Sequence, residues 1–131
     1  MATYSELLAS FDTVFASNEW ALESITTFPA NFYPNNLPDE FIKYEILPAG
    51  EGEQEYGKVN YKAGLFIAQI YTQANRGPKR LYELASAVET QFSRSFLGST
   101  QTYDGTLTIV GIDKDDTSLF RADYSLTFNS F

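Results

Sequence analysis

Three stretches of the chain gather residues whose types and spacing could do chemistry. The first, AGEGEQEYG (49–57), is punctuated by glycine like a phosphate-cradling loop. Such a loop needs a lysine and a hydroxyl beside its backbone N–H groups. Here Glu51, Glu53 and Glu55 stand instead, and they repel phosphate. The second, GIDKDDTS (111–118), brings Asp113, Asp115 and Asp116 together. A calcium loop counted from Asp113 requires glycine sixth and glutamate twelfth, but Ser118 and Tyr124 hold those places. Aspartates in this pattern suit a turn between strands. The third is a cationic corner, Arg76, Lys79 and Arg80, around Gly77-Pro78. Lys79 and Arg80 fall at the start of a predicted helix, where the macrodipole disfavours positive charge. A partner carboxylate would account for them, and so would a solvated surface.

The chain has no Cys and no His. That removes disulfides, thiolate catalysis, the usual metal ligands and the commonest general base near neutral pH. Seventeen acids leave carboxylate pairs conceivable for acid–base work, but no spacing selects one. The reading is therefore no enzyme, with no catalytic, cofactor-binding or metal-binding residue to name. Net charge is −8, and ten of the acids lie in residues 1–56 against Lys43 alone. Nucleic-acid binders carry the opposite footprint, because phosphate neutralisation dominates their affinity. The acidic half reads as a solvated face.

At 131 residues the chain is one domain, 1–131, large enough to bury a core. The opening MATYSELLASF lacks the basic start and apolar centre of a secretory leader. No run reaches the roughly 18 apolar residues of a membrane span. The expectation is a soluble intracellular product without a membrane partner.

The elements that must position the corner follow from periodicity. Thr3 and Glu6 form a capping box, and Tyr4, Leu7, Leu8, Phe11, Val14 and Phe15 recur at helical spacing, predicting a helix from Tyr4 to Ala16. Leu8 is expected in the core. Pro29, Pro34 and Pro38 make residues 18–39 an extended, irregular crossing, with a short strand near Ile25 to Phe28. Phe28, Phe32 and Tyr33 are expected to seal the core or a neighbour. EFIKYEILP reads as a strand ended by Pro48, and 49–57 as a loop. From Tyr61 to Thr72 both faces are apolar: Phe66, Ala68 and Ile70 on one, Leu65, Ile67 and Tyr71 on the other. A helix from Pro78 to Phe96 follows, with Leu81, Leu84, Ala85, Val88 and Phe92 on its apolar stripe. Strands at Gly105–Ile112 and Phe120–Phe128 close the chain. The expected class is α+β, a mostly antiparallel four- to five-stranded sheet packed with two main helices. The second face of the Tyr61–Thr72 strand then lacks cover, and a neighbouring subunit is the economical answer.

In order along the chain, TFPANFYP, LPDEFIKYEILP, an acidic glycine-containing loop, YKAGLFIAQIYTQANRGPKRLYELASAVETQF, DGTLTIVG and ADYSLTFNSF resemble the tail terminator family of long-tailed bacteriophages. These are proteins like the lambda minor tail protein U, also called tail completion or neck proteins. The shared pattern is a Pro-rich approach to a strand ending ILP, then Gly64, Phe66, Ile70 and Tyr71 on the second strand. A glycine turn, a helix bearing Leu84, Ala85 and Phe92, and an alternating last strand complete it. The resemblance implies a virion structural protein, assembled in the host cytoplasm as a homo-oligomeric ring, usually a hexamer. It would sit at the head-proximal end of the tail, stop polymerisation of the tube protein and meet the head–tail connector. Genome DNA would pass through the channel without specific binding, and no cofactor or catalysis is implied. On this reading Leu65, Ile67, Tyr71, Arg76, Lys79 and Arg80 serve contacts between subunits. The alternatives are another neck or tail component, such as an adaptor or tube subunit, or a small-ligand-binding or enzymatic domain.

Overall fold

The computed structural model describes residues 3–17, 20, 25–29, 38–55, 58–98, 100–114 and 118–131. Helix α1 spans Tyr4–Phe15, and its N-cap Thr3 accepts a 3.2 Å hydrogen bond from the Glu6 N–H. This satisfies one of the helix's orphan donors. Leu7 and Phe11 are buried, but Leu8 is 48% exposed, so the wide apolar stripe is only partly used. Leu8 therefore lies outside the core, contrary to the expectation. Leu8→Ala should change stability by no more than about 0.5 kcal/mol in a chemical denaturation series.

Six strands follow in the sequence: β1 (Thr27–Pro29), β2 (Phe41–Glu55), β3 (Lys58–Gln73), β4 (Phe96–Leu97), β5 (Thr100–Ile112) and β6 (Leu119–Ser130). Helix α2 (Lys79–Phe92) lies between β3 and β4. The sheet order is β1-β2-β3-β6-β5-β4, with β1 parallel to β2 and every other pair antiparallel. This is a six-stranded mixed sheet curled into a half-barrel. The expected mostly antiparallel sheet of four or five strands is thus corrected in both number and sense. The strand not expected is the two-residue β4 after the helix, too short to carry a period, while the short strand expected near Ile25 to Phe28 is β1, at Thr27–Pro29. Proline without an N–H is tolerated on such an edge strand.

Two boundaries also move. Strand β2 does not stop at Pro48 but runs on to Glu55, paired with β3 through bulges at Pro48/Gly50, Gly52/Glu53 and Glu53/Glu55. The stretch expected as a loop, apart from residues 56–57, is a ribbon beyond the main sheet, because long-range pairing overrides poor strand propensity. Helix α2 ends at Phe92 rather than Phe96, since Ser93 is extended and Arg94 has φ +49°. Phe32 and Tyr33 lie outside the described residues.

Both helices pack on one face of the sheet. Phe66, Ala68 and Ile70 of β3 and Ala122, Tyr124, Leu126 and Phe128 of β6 are buried against Leu81, Leu84, Ala85, Val88 and Phe92 of α2. Rings knit this core: Phe66 stacks on Phe92 at 4.8 Å and on Phe11 at 4.9 Å, and Phe11 meets Phe128 edge-on at 5.2 Å. Trp20, also buried, donates from Nε1 to Thr27 Oγ1 at 3.0 Å and so ties β1 to the layer.

Candidate functional site

The corner forms where β3 ends and α2 begins. Asn75 (φ +65°) and Gly77 (φ +77°) adopt left-handed backbone, turning the chain from the sheet onto its inner face. Pro78 is the N-cap of α2 and provides no side-chain cap. Arg76, Lys79 and Arg80 are all exposed. Arg80 is nonetheless committed within its own chain. Its Nε donates to both Glu40 carboxylate oxygens at 3.0 Å, Nη2 adds a 2.9 Å bond to Glu40, and Nη1 reaches Glu83 at 3.2 Å. The Glu40 hydrogen bond, with lesser help from Glu83, holds the Arg80 pKa above its ordinary value. The carboxylate that the corner called for is thus Glu40, at the entrance of β2. Arg76 and Lys79 have no ion-pair partner among the described residues.

The second candidate surface is the outer face of β3. Leu65, Ile67 and Tyr71 are half-buried there. Tyr71 is held by its own chain: it stacks on Phe41 at 4.6 Å, Arg121 lies 5.8 Å over its ring, and Phe28 tilts against Phe41 at 5.8 Å. Leu65 pairs in register with Leu47 of β2, itself 39% exposed, and with Thr127 of β6. Ile67 stands between Glu45 and Ser125. A narrow band of Leu47, Leu65 and Ile67 therefore remains uncovered among the described residues.

The structure does not bring all six expected contact residues onto one surface. Arg76, Lys79 and Arg80 surround the α2 start on the inner side of the sheet, whereas Leu65 and Ile67 face outward. Ile67 to Gln73 along β3 is about 20 Å at ~3.3 Å per residue. Sequence reasoning missed Glu40, whose pairing with Arg80 spans forty positions and leaves no local signal.

The Tyr44 hydroxyl donates to Asp12 Oδ1 at 2.6 Å, and burial followed by that bond raises its pKa, so the phenol stays protonated at neutral pH and acts as a strut. Among the described residues no group of three or more Asp or Glu is placed to hold a metal ion, and no helix is long and apolar enough to cross a membrane.

No protein-family model and no curated relative matches the chain. Among solved structures, one known only by a sequence identifier superposes with a TM-score of 0.66 at 12% identity, covering 100% of this chain and 97% of that one. At that identity the likeness defines the fold class alone.

Proposed function

We infer that the protein is a structural ring subunit, a tail terminator of a long-tailed phage, resident in the virion neck after assembly in the host cytoplasm. The observation that carries this reading is the outer band of Leu47, Leu65 and Ile67, apolar and without a covering layer among the described residues. The cationic corner lies on the other side of the sheet. Two chemically different surfaces set apart on one chain suit a heterologous junction, in which each copy offers one surface to each neighbour. The ordered resemblance to tail terminators supplies the biological setting, with the tube protein and head–tail connector as the other partners.

The test is made on tail tubes. Ile67→Lys places a cation opposite Glu45, so the sheet should still fold, which thermal unfolding establishes first. The folded variant should fail to cap tubes and leave them overlong. Capping equal to that of the parent would remove the outer band from the interface. If the unmodified protein itself polymerises into tubes, the tube-subunit alternative replaces the terminator.

A further inference from the structure

The sheet face that carries the helices is not covered to its edge. Helix α2 lies mainly over β3 and β6, and the end of β5 emerges beside it, with Ile109 43% and Ile112 55% exposed. Both belong to this inner face, since they pair in register with Ala122 and Phe120. Here Ile112, Phe120, Pro78, Gly77, Gln73 and Asn75 enclose an open-mouthed hollow of about 300 Å³. Its walls of Pro78, Ile112 and Phe120 are apolar, and no charged residue lines it among those described. A closed apolar cavity of about 150 Å³ holds a benzene ring, so this hollow admits one aromatic side chain.

The opposite end of β5 carries the complement. Phe96 of β4 is 71% exposed, more than any other large apolar residue among those described. It pairs with Gln101, which pairs in turn with Asn129. Asn129 alternates with the buried Phe128 and Ser130, so this row faces outward. Asn129 Nδ2 donates to the Tyr103 hydroxyl at 2.9 Å, which sets Tyr103, itself exposed, on the same outer corner as Phe96. Along β5, Gln101 and Ile112 are about 35 Å apart at ~3.3 Å per residue, so Phe96 cannot reach the hollow of its own chain. Two projecting rings cannot fill one another, and neither can two hollows. Neither surface is complementary to itself, but each is complementary to the other.

We propose that the Phe96 ring of one copy seats in the hollow between Pro78, Ile112 and Phe120 of the next, a heterologous contact repeated at every junction. Each site extends one of the two surfaces that the ring-subunit reading joins, and the proposal rests on that reading for its setting. Tyr103 lies in the bulge opposite Thr127, the register partner of Leu65 in the outer band. Gly77 and Pro78 sit within the cationic corner, between Arg76 and Lys79. An exposed aromatic that enters an apolar pocket is the usual anchor of an interface, since both surfaces leave water together.

Sedimentation equilibrium of the parent and two variants tests it without tail tubes. The parent should self-associate at concentrations up to about 1 mM, within the range of weak assembly contacts. Phe96→Ala and Ile112→Glu change exposed side chains, so both should fold, which thermal unfolding establishes first. Each alone should associate at least about tenfold more weakly than the parent, the loss of an interface anchor. Mixed in equal amounts, the two should recover pairs but nothing larger. Phe96→Ala keeps the hollow, Ile112→Glu keeps the ring, and only one kind of junction can form between them. A parent that stays monomeric at the top of that range overturns the second copy as occupant. Association that survives either substitution overturns the contact, and a mixture no better than its components overturns the head-to-tail pairing. If all the expected results hold but the parent fails to cap tail tubes, the terminator reading falls and the contact stands.

Discussion

Phe92→Ala should lower the stability of the chain by about 3–5 kcal/mol, the range for deleting a fully buried aromatic ring. Phe92 is 0% exposed, near the last turn of α2, where its ring meets four others. Phe66 lies 4.8 Å away and nearly parallel, Phe15 at 4.9 Å, Phe11 at 6.1 Å and Trp20 at 6.4 Å. Removing it opens a cavity shared by both helices, β3 and the β1 approach, so little of the void can close by local collapse. Urea unfolding should show a large fall in midpoint at nearly constant slope. A loss under about 0.5 kcal/mol, the size typical of surface sites, would contradict this packing.

Gly64→Ala should cost about 1–3 kcal/mol, the penalty for forcing extra atoms into a filled space. Gly64 pairs in register with Phe128 on one side and Pro48 on the other. A Cβ there would come within 2.6 Å of the Leu47 carbonyl oxygen and 2.6 Å of Phe128 Cζ. The first is backbone and the second a ring buried at 1% exposure, so neither yields cheaply. Gly77→Ala makes a useful contrast, because open space surrounds that position and its cost comes only from φ +77°. Thermal unfolding of the two variants separates crowding from backbone strain. An unchanged midpoint for Gly64→Ala would mean that the Phe128 ring does not rest on the glycine.

The elements legible in the sequence were those with many turns of one period. Strand β6 alternates strictly, α2 repeats Leu81, Leu84, Ala85, Val88 and Phe92, and β3 shows apolar residues on both faces. The structure buries one of those faces and leaves the other half-covered. What escaped was fixed by contacts distant in sequence. The Glu51–Glu55 segment is extended because β3 lies beside it, and the two-residue β4 is held by its pairing with β5. Leu8 and Leu7 are equally apolar, and only the position of the sheet decides which is buried. The candidate site divides likewise. Arg76, Lys79 and Arg80 stood out as charges at a helix start, whereas Glu40 emerges only once β2 and α2 converge.

The strand order has a consequence for how the chain is made. Strand β3 sits between β2, which precedes it directly, and β6, the last of the six strands in sequence. On the ribosome β3 can pair with β2 as soon as both have emerged, but its other edge waits for residues 119–130. Synthesis from Gln73 to Ser130 takes roughly 3–11 s at about 5–20 residues per second. Throughout that interval the nascent chain carries an apolar strand with one bare edge, a substrate for cellular holdases and for wrong pairing between neighbouring polysomal chains. Slowing translation after Gln73 should therefore lower soluble yield, and supplying β6 early by circular permutation should raise it.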